Sequence, residues 1–480
     1  MADIFNNHRN DALVLLRKES LDLFNRVHSI ADDVQFVEEV CQAYPDLPVL
    51  PNLRCGAWYV SPKIASQYDA YFKSTDGHYN NWNFNLRRPN IHLLSVILQH
   101  GGLILVDSTR AGKRMPDALS KTVPIWCAVI NRAVKRAYRD EDGGGGSGSE
   151  RGWDDGLYTP PGVIPAQEHT QIEKKIEEWA DALVNSSYAL PLLTLPLRPM
   201  WITPSTSVFP SLPPVGERKF CPVICVSASK QVGDGIERRS SGFAYVQGSG
   251  DDHELWGMGL TPQMFWEEKD TLLQAQRAEL PDVVAEIVAK HQSRQNGDSD
   301  WAILPTSLTK SGGRLLITAL SAIPSSLPPS LPNTQERLAY VLISTTLPST
   351  FVIPEDRKRT VLLLEMAEGK KGQTQFLHSV LPRSVEFIRK QLADGLHVCV
   401  GCHNGKDASV GVVLAALQLF FGDDGVYRGS SSVVGAETLS KKSLNIRLQW
   451  IIADRPEANP SRVTLKRVNE FLLTDPALRR

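Results

Sequence analysis

The sequence predicts an α/β fold that is divided between a large N-terminal domain and a smaller C-terminal domain. The 480 residues, 42% hydrophobic and 22% charged, are enough to bury more than one core. From residue 341 onward, strand-like and helix-like segments alternate, which is typical of a parallel sheet covered by helices. A serine- and proline-rich stretch over 321–332 precedes this alternation. We therefore expect one domain over residues 1–325 and a second over 333–480.

The N-terminal part contains both kinds of element. Apolar residues at helical spacing predict one or two amphipathic helices over 11–41, and aromatic and β-branched residues predict a strand over 55–60. A buried helix over 91–99 and a short buried strand over 102–106 follow. Farther along the chain, we predict a charged helix over 171–184, strands over 221–226 and 243–246, and a largely helical region over 263–291.

Residues 143–149 form a glycine and serine tract that has too few side chains to pack. Such a composition behaves as a flexible coil and is also that of a designed linker. We therefore expect a flexible linker here, which would stand in place of a longer native loop.

Cysteine content and hydropathy bear on the compartment. The seven cysteines are an odd number without regular spacing, which favours free thiols in a reducing environment. No segment has the apolar length of a signal-peptide core or a membrane span. We expect a cytoplasmic protein without membrane contact, and no feature implies an obligate protein partner.

Positive charge is concentrated in two segments, although the formal net charge of the chain is -1. Residues 87–139 hold ten basic residues and two acids, and residues 441–480 hold nine basic residues and four acids. The segments would form one polyanion-binding face if the fold joined them, and are otherwise two unrelated solvated surfaces. The residues that we expect on such a face are Arg87, Arg88, Arg114, Lys121, Arg132, Arg136, Arg462, Lys466 and Arg467.

A loop in the C-terminal domain carries the clearest motif. The sequence Cys-His-Asn-Gly-Lys-Asp-Ala-Ser occupies 402–409, between a strand predicted over 397–400 and an apolar helix predicted over 408–421. Backbone N–H groups of such a loop and helix N terminus point toward one place, which attracts phosphate. The loop resembles the phosphate loop of dual-specificity protein phosphatases, with Cys402 at the nucleophile, Gly405 at the loop glycine and Ser409 at the hydroxyl. The residues that we expect to bind phosphate here are Cys402, His403, Asn404, Gly405, Lys406, Asp407 and Ser409.

This loop departs from the phosphatase pattern at one decisive position. Ala408 stands where phosphatases have arginine, and alanine cannot hold two phosphate oxygens through a bidentate fork. We therefore expect binding of a phosphoryl group without hydrolysis through Cys402. The alternative is an ordinary strand-to-helix turn with a buried cysteine. Cys399 and Cys402 have C-x-x-C spacing, but without a second pair a metal site is not expected.

Two polar segments of the N-terminal domain are candidate binding sites. Residues 71–88 combine aromatics, amides and basic groups, a composition suited to a nucleotide or a ribose, and include His78. Residues 107–117 follow a buried strand, so that Asp107, Arg110 and Lys113 emerge where ligand sites often form. This loop is similar to the pyrophosphate loop of phosphoribosyltransferases, except that Ser108 replaces a second acid. A solvated, charged turn is the alternative.

A third candidate lies over 247–256. Asp251, Asp252 and Glu254 have the hard oxygen ligands that Mg²⁺ prefers. His253 or one of the carboxylates would equally serve as a general base. An exposed turn of small and acidic residues has the same composition.

These segments together identify a family. Residues 71–88, 102–132, 247–256 and 402–412 resemble the initiator tRNA 2′-O-ribosyl phosphate transferases over nearly the whole chain. The resemblance implies a large family-specific α/β domain joined to a C-terminal domain similar to dual-specificity phosphatases. It also implies a pentosyltransferase, a class of glycosyltransferase. Such an enzyme transfers a phosphoribosyl group from phosphoribosyl pyrophosphate to a T-stem adenosine of initiator tRNA and so excludes it from elongation.

The implied reaction assigns roles to the candidates. A 2′-hydroxyl attacks the anomeric carbon and pyrophosphate leaves, which requires a base and stabilisation of the leaving group. We expect Asp107, Asp252 or His78 to be the base, and Arg110 and Lys113 to share the donor phosphates with the loop over 402–409. Mg²⁺ is expected with the donor, with Asp407 nearer to the metal than to phosphate. The alternatives are a phosphatase acting on phosphoproteins or RNA ends, and a noncatalytic tRNA-binding protein.

Overall fold

The computed structural model divides into two units, Met1–Gln292 and Ser293–Arg480. It describes residues 14, 16–52, 55–66, 68, 70–110, 112–138, 153–233, 236–239, 242–251, 253–294, 301, 303–332, 334, 336–346, 351, 353, 355–429 and 439–474. The predicted linker over 143–149 lies outside the described residues.

A four-stranded parallel sheet organises the first unit. Its strands are β1 (Val49–Pro51), β2 (Leu103–Asp107), β3 (Leu197–Ile202) and β4 (Cys221–Ser227), in the spatial order β1-β2-β4-β3. The two central strands are buried along their whole length, as their apolar runs predict. Both edge strands contain a proline, Pro51 and Pro199, which an edge tolerates because one side of it needs no N–H.

Helices complete the first unit. They are α1 (Leu23–Ala43), α2 (His92–His100), α3 (Val123–Tyr138), α4 (Ala166–Val184), α5 (Pro262–Glu267), α6 (Lys269–Gln274) and α7 (Leu280–Arg294). Helix α1 begins at Leu23 because Asp22 caps the amide of Asn25, and its apolar stripe shares a core with Ile104 and Ile224 of the sheet. A small hairpin of β5 (Ile236–Arg238) and β6 (Ala244–Val246) contacts α1.

The second unit has a five-stranded sheet in the order β10-β9-β11-β8-β7. The strands are β7 (Thr306–Ser307), β8 (Leu315–Ala319), β9 (Leu338–Ser344), β10 (Val361–Glu365) and β11 (His397–Cys402), and all but the edge strand β7 pair in parallel. The helices are α8 (Gly369–Gln375), α9 (Leu381–Ala393), α10 (Ala408–Phe420), α11 (Lys441–Asp454) and α12 (Arg462–Leu473). Helix α10 is almost entirely buried and contacts α9, α11 and α12 as well as β8 and β11.

The α/β class is confirmed, and two details differ from prediction. The predicted strand over 55–60 is wrong: Gly56–Trp58 forms a 3₁₀ turn, in which a Cβ on Gly56 would lie 2.3 Å from the carbonyl oxygen of Val106. The division between the units also falls earlier than the boundary predicted from the serine- and proline-rich stretch. Strand β8 pairs with β11, which assigns Leu315–Ala319 to the second unit. None of the described helices is both long and apolar enough to cross a bilayer.

Candidate active site

Asp107 is held by three hydrogen bonds at the carboxyl edge of the first sheet. Its Oδ2 accepts from the side-chain amide of Asn52 at 2.7 Å, and its Oδ1 accepts from the thiol of Cys55 at 2.9 Å and from the backbone N–H of Ser108 at 2.8 Å. Asn52 and Cys55 follow β1, and Ser108 follows β2, so the ends of two neighbouring strands build this pocket. The carboxylate is thereby fixed in one orientation.

Burial changes the protonation of Asp107. Loss of hydration raises the pKa of Asp107 to about 6, although hydrogen bonds from Cys55, Asn52 and Ser108 favour the charged form. Burial and the adjacent Asp107 charge raise the pKa of the Cys55 thiol well above its usual value. The proton of this pair therefore stays on sulfur, and Asp107 is the group able to accept a proton near neutral pH.

A second buried acid lies next to this pocket. The hydroxyl of Ser229, which follows β4, lies 2.6 Å from the hydroxyl of Ser108 and donates to Asp33 Oδ2 at 2.5 Å. The hydroxyl of Tyr245 donates to Asp33 Oδ1 at 2.7 Å. Burial raises the pKa of Asp33 to about 8. This network was not predicted, because Asp33 lies in a helical pattern that indicates only a surface or core position of α1.

The loops over 107–114 and 247–251, predicted separately, lie together. Gly248 packs on the backbone of Thr109, where a Cβ would lie 2.5 Å from its carbonyl oxygen, and its φ of +69° also favours glycine. The side chain of Gln247 donates to the Lys113 carbonyl at 2.7 Å, and Arg110 Nε lies 3.1 Å from Asp251 Oδ2. Both loops therefore contribute to one site.

The predicted metal ligands are only partly described. Asp252 and the side chain of Glu254 lie outside the described residues. Asp251 is paired with Arg110, an arrangement that suits an ion pair and not a Mg²⁺ ligand. Among the residues with described positions, no three His, Cys, Asp or Glu side chains group as a metal site.

A chain of charges joins the loop over 107–117 to helix α4. Asp117 lies 2.8 Å from Lys113 Nζ, 3.0 Å from Lys121 Nζ and 3.8 Å from His78 Nε2. Burial acts to raise the pKa of Asp117, but hydrogen bonds from Lys113 and Lys121 hold this pKa below its usual value. Lys121 also lies 3.3 Å from Glu168. His78, another predicted base, is 52% exposed and separate from the hydrogen bonds around Asp107.

Contacts within the segment over 71–88 and with neighbouring elements hold it in place. Phe72 exchanges hydrogen bonds with Asn52, Arg88 pairs with Asp76 at 2.9 Å, and the indole N–H of Trp82 donates to Glu168 at 2.9 Å. The segment therefore lies near Asp107, with Asn52 bonded to both.

In the second unit, the loop over 402–409 joins β11 to α10. The Sγ of Cys402 and the Oγ of Ser409 lie 3.1 Å apart and are buried. Asn404 Oδ1 accepts from the backbone N–H of Lys406 at 3.0 Å, which closes a tight turn. The first-turn amides of α10 have no intrahelical acceptor, so the loop offers donors to an anion.

Arg455, which the sequence did not single out, stabilises this loop. Its Nε donates to the Gly405 carbonyl at 2.9 Å, and its Nη1 contacts both Thr306 and Glu457. It therefore holds the loop backbone and does not replace the arginine missing at Ala408. Asp407 Oδ1 accepts from the Ser461 amide at 2.9 Å, a bond that ties the loop to α12.

Several basic residues that were predicted to contact a polyanion instead form ion pairs with carboxylates of this chain. Lys121 is only 8% exposed and lies between two carboxylates, so we no longer expect it to contact phosphate. Arg132 pairs with Glu173 and Glu177, Arg136 with Glu177 and Asp181, and Arg88 with Asp76. The acids of α4 therefore neutralise much of the charge counted along 87–139. Arg87 is half-buried.

The exposed basic side chains lie elsewhere. Arg110 is 65% exposed and Lys113 57%, and Arg114 beside them is also exposed, with Nη2 3.2 Å from Ser205 Oγ. On α12, Arg462 and Lys466 are exposed and four residues apart, so they share a face, while Arg467 pairs with Glu470 at 2.6 Å. Each unit thus has its own positive surface.

Asn52, Cys55, Asp33, Ser229 and Arg455 are the site residues that sequence reasoning missed. Only the position of Ser229 just after the strand predicted over 221–226 would have pointed to it, whereas the strand before Asn52 was not predicted. The contacts that matter join distant parts of the chain.

The fold and the two sites are those of a two-domain α/β protein with a phosphatase-like C-terminal domain. Residues 16–289 match the Rit1 N-terminal domain, and residues 360–472 match the Rit1 DUSP-like domain. The chain therefore belongs to the Rit1 family.

The chain is also similar to two relatives over nearly their whole length. The chain is 31% identical to tRNA A64-2′-O-ribosylphosphate transferase of Saccharomyces cerevisiae, over 95% of this chain and 93% of the relative. It is 32% identical to an uncharacterized protein of Schizosaccharomyces pombe over 97% of each chain. It is also similar to crystal structures of human DUSP28 (15% identity, 35% of this chain, 95% of that chain, TM-score 0.24) and of the human tyrosine phosphatase-like serine/threonine/tyrosine-interacting protein (19%, 33%, 90%, 0.23).

Proposed function

We propose that this protein transfers a ribosyl phosphate group from phosphoribosyl pyrophosphate to the 2′-hydroxyl of a T-stem adenosine in initiator tRNA. The observation that carries the proposal is the identity of 31% over 95% of the chain with a protein named for ribosyl phosphate transfer to tRNA A64. In this proposal the added group keeps the tRNA out of elongation, and the enzyme is a pentosyltransferase of the cytoplasm.

The proposed chemistry needs a group that accepts the hydroxyl proton. Asp107 is favoured over His78, because it is buried, oriented by three donors and has a pKa of about 6. A base near that pKa is ionised at neutral pH and still basic enough to take a proton. Asp252 lies outside the described residues and stays an alternative.

Phosphate binding has support in both units. The loop over 402–409 offers backbone donors at the start of α10, and Lys406 adds a positive charge. Arg110, Lys113 and Arg114 offer a second cationic loop beside Asp107. We propose that each of these two loops binds phosphate groups, of the donor or of the tRNA backbone. Mg²⁺ in this scheme enters bound to the donor's diphosphate, because Mg²⁺ keeps several of its waters and commonly binds through substrate phosphates.

Hydrolysis of phosphoesters by the same loop is disfavoured. Ala408 removes the bidentate guanidinium that stabilises the transferring phosphoryl group, and Arg455 is committed to the Gly405 carbonyl. We therefore expect no phosphate release from an aryl phosphate, whereas a phosphatase would release it.

The direct test is mass spectrometry of initiator tRNA after incubation with the protein, with and without phosphoribosyl pyrophosphate. We expect a mass increase of one phosphoribosyl group that requires the donor, and its loss in Asp107→Asn. If tRNA binds but its mass does not change under any donor condition, the protein is a noncatalytic binder and the proposal is wrong.

A further inference from the structure

Asn52 has a single possible orientation. Its Oδ1 accepts from the N–H of Phe72 at 2.9 Å, and its Nδ2 donates to the Phe72 carbonyl at 2.8 Å and to Asp107 Oδ2 at 2.7 Å. Only the amide nitrogen can serve the last two acceptors, so the donor to Asp107 is assigned without ambiguity. Both amide protons and the amide oxygen are used, and Asn52 is 1% exposed.

Cys55 supplies the donor on the opposite oxygen. Its Sγ lies 2.9 Å from Asp107 Oδ1 and 3.5 Å from the Ser108 carbonyl, and both are acceptors. The 3₁₀ turn over Gly56–Trp58 fixes the backbone directly after Cys55, since the N–H of Gly56 donates to the Asn52 carbonyl at 2.9 Å. The two donors therefore both lie just after β1, and the hydrogen bond from Gly56 to Asn52 links their positions.

We propose that Asn52 and Cys55 are positioning residues that hold Asp107 as an oriented carboxylate, aimed to accept the proton of the attacking hydroxyl. This inference rests on the proposed function. The O–H bond of the tRNA 2′-hydroxyl breaks as its oxygen bonds to the anomeric carbon of the donor. Pyrophosphate leaves with the electron pair of the broken C–O bond, and the proton moves to Asp107, which later loses it to water.

The hydrogen bonds of Asn52 couple the segment over 71–88 to the orientation of Asp107. Asn52 donates one amide proton to the carboxylate of Asp107. Its other amide proton and its amide oxygen bond the backbone of Phe72, at the start of the segment over 71–88. A shift of Phe72 therefore moves the donor of Asp107. Binding of substrate to this segment acts on the base through a single side chain.

Other charged and titratable groups near Asp107 also influence its pKa. The carboxylate of Asp251, paired with Arg110, and the thiols of Cys55 and Cys225 interact electrostatically with this group. Replacement of Cys55 removes its proton donor but leaves Asp251, Arg110 and Cys225 in place. Its effect is therefore separable from theirs.

The experiment compares pH profiles of kcat/KM for transfer to initiator tRNA in the parent, Cys55→Ala, Cys55→Ser and Cys127→Ala. Because kcat/KM reports the free enzyme, its acidic limb follows the pKa of the base. Loss of the thiol donor should move this limb of Cys55→Ala upward by about 0.5 to 1 pH unit, since a hydrogen bond to the carboxylate favours its charged form. Cys55→Ser keeps a donor and should stay at or below the parent. Cys127, buried in α3 without contact to Asp107, is the control and should leave the limb unmoved.

The outcomes separate this inference from the proposed function. A parent protein that transfers nothing contradicts the function, whatever the variants do. An active parent with the same acidic limb in Cys55→Ala overturns the inference alone. If Cys55→Ala does not fold by thermal melting, Cys55→Ser still decides, because an upward shift in that variant contradicts a donor role for Cys55.

Discussion

The hydroxyl groups of Ser108 and Ser229 lie 2.6 Å apart and join the ends of β2 and β4. Ser229 also donates to Asp33, so a carboxyl group of α1 is linked to the loop that carries the candidate base. Tyr245 closes the network from the hairpin. Because every member is buried and bonded, we expect the network to stabilise the site as a unit.

Asp33→Asn should remove a pH dependence of stability. The pKa of Asp33 is raised to about 8, so the folded state keeps a proton that the unfolded state loses above its ordinary pKa near 4. The free energy of unfolding of the parent should therefore fall by up to about 1.4 kcal/mol per pH unit as the pH rises through this window. Asp107, with a pKa of about 6, contributes to the pH dependence of stability only below that pH. Between pH 6 and 8, the free energy of unfolding of Asp33→Asn, measured by urea unfolding, should therefore not fall with pH as that of the parent does.

Asp32→Asn is the matched control, because Asp32 is 40% exposed and precedes Asp33 in the same helix. It should keep the slope of the parent. Equal slopes in the parent and in Asp33→Asn would contradict the assignment of the proton to Asp33.

The elements that the sequence located are those with a strong local pattern. Strands β2, β4 and β11 are short apolar runs of buried residues, and α12 begins after Ser461, whose hydroxyl accepts from the amide of Thr464. The predicted strand over 55–60 failed because close packing of Gly56 against β2 overrides the β propensity of its neighbours.

The candidate site was harder to predict for a physical reason. The hydrogen bond from Asn52 to Asp107 joins residues 55 positions apart, and that from Ser229 to Asp33 joins residues 196 positions apart. No local periodicity encodes such pairs. Ion pairing of Arg132 with Glu173 likewise depends on how α3 and α4 pack, so a count of charges along the chain overestimates the free positive charge.

Gly405→Ala should destabilise the second unit and disturb its loop. Gly405 has a φ of +64°, and a Cβ would lie 2.7 Å from the Thr318 carbonyl and from Arg455 Nη2. Strain and steric conflict together should lower the free energy of unfolding by about 2 to 4 kcal/mol. Gly395→Ala is the control, because its φ is +77° but a Cβ there would meet no atom within 4 Å. Equal losses in thermal unfolding would show that the contact with Arg455 is unimportant.

Lys406→Ala should weaken donor binding, whereas Cys402→Ser should not abolish transfer. The lysine adds charge to the loop over 402–409, and its removal should cost about 1 to 2 kcal/mol of affinity for phosphoribosyl pyrophosphate.

Cys402 lies 3.1 Å from Ser409 but faces no arginine at position 408, so no covalent intermediate on sulfur is expected. Calorimetry and the tRNA mass assay measure the two effects. Lys358→Ala, at an exposed lysine of the same unit, is the control for charge alone. Complete loss of transfer in Cys402→Ser, with donor binding intact, would contradict the noncovalent scheme.

Charge reversal on α12 should weaken tRNA binding in a salt-dependent way. Lys466 is 71% exposed, with its Nζ 3.8 Å from a carboxylate oxygen of Glu470, and it shares a face with the exposed Arg462, so we expect both to reach phosphate. Each lost contact should lower the slope of log affinity against log salt by about 1, because fewer counterions are released. Filter binding of initiator tRNA at several salt concentrations measures this for Arg462→Glu and Lys466→Glu. Lys358→Glu changes the net charge equally and should alter the slope less, since Lys358 lies on a turn apart from α12 and pairs with Glu355. If all three variants bind alike, α12 is not part of the tRNA interface, and the exposed loop over 110–114 becomes the surface to test.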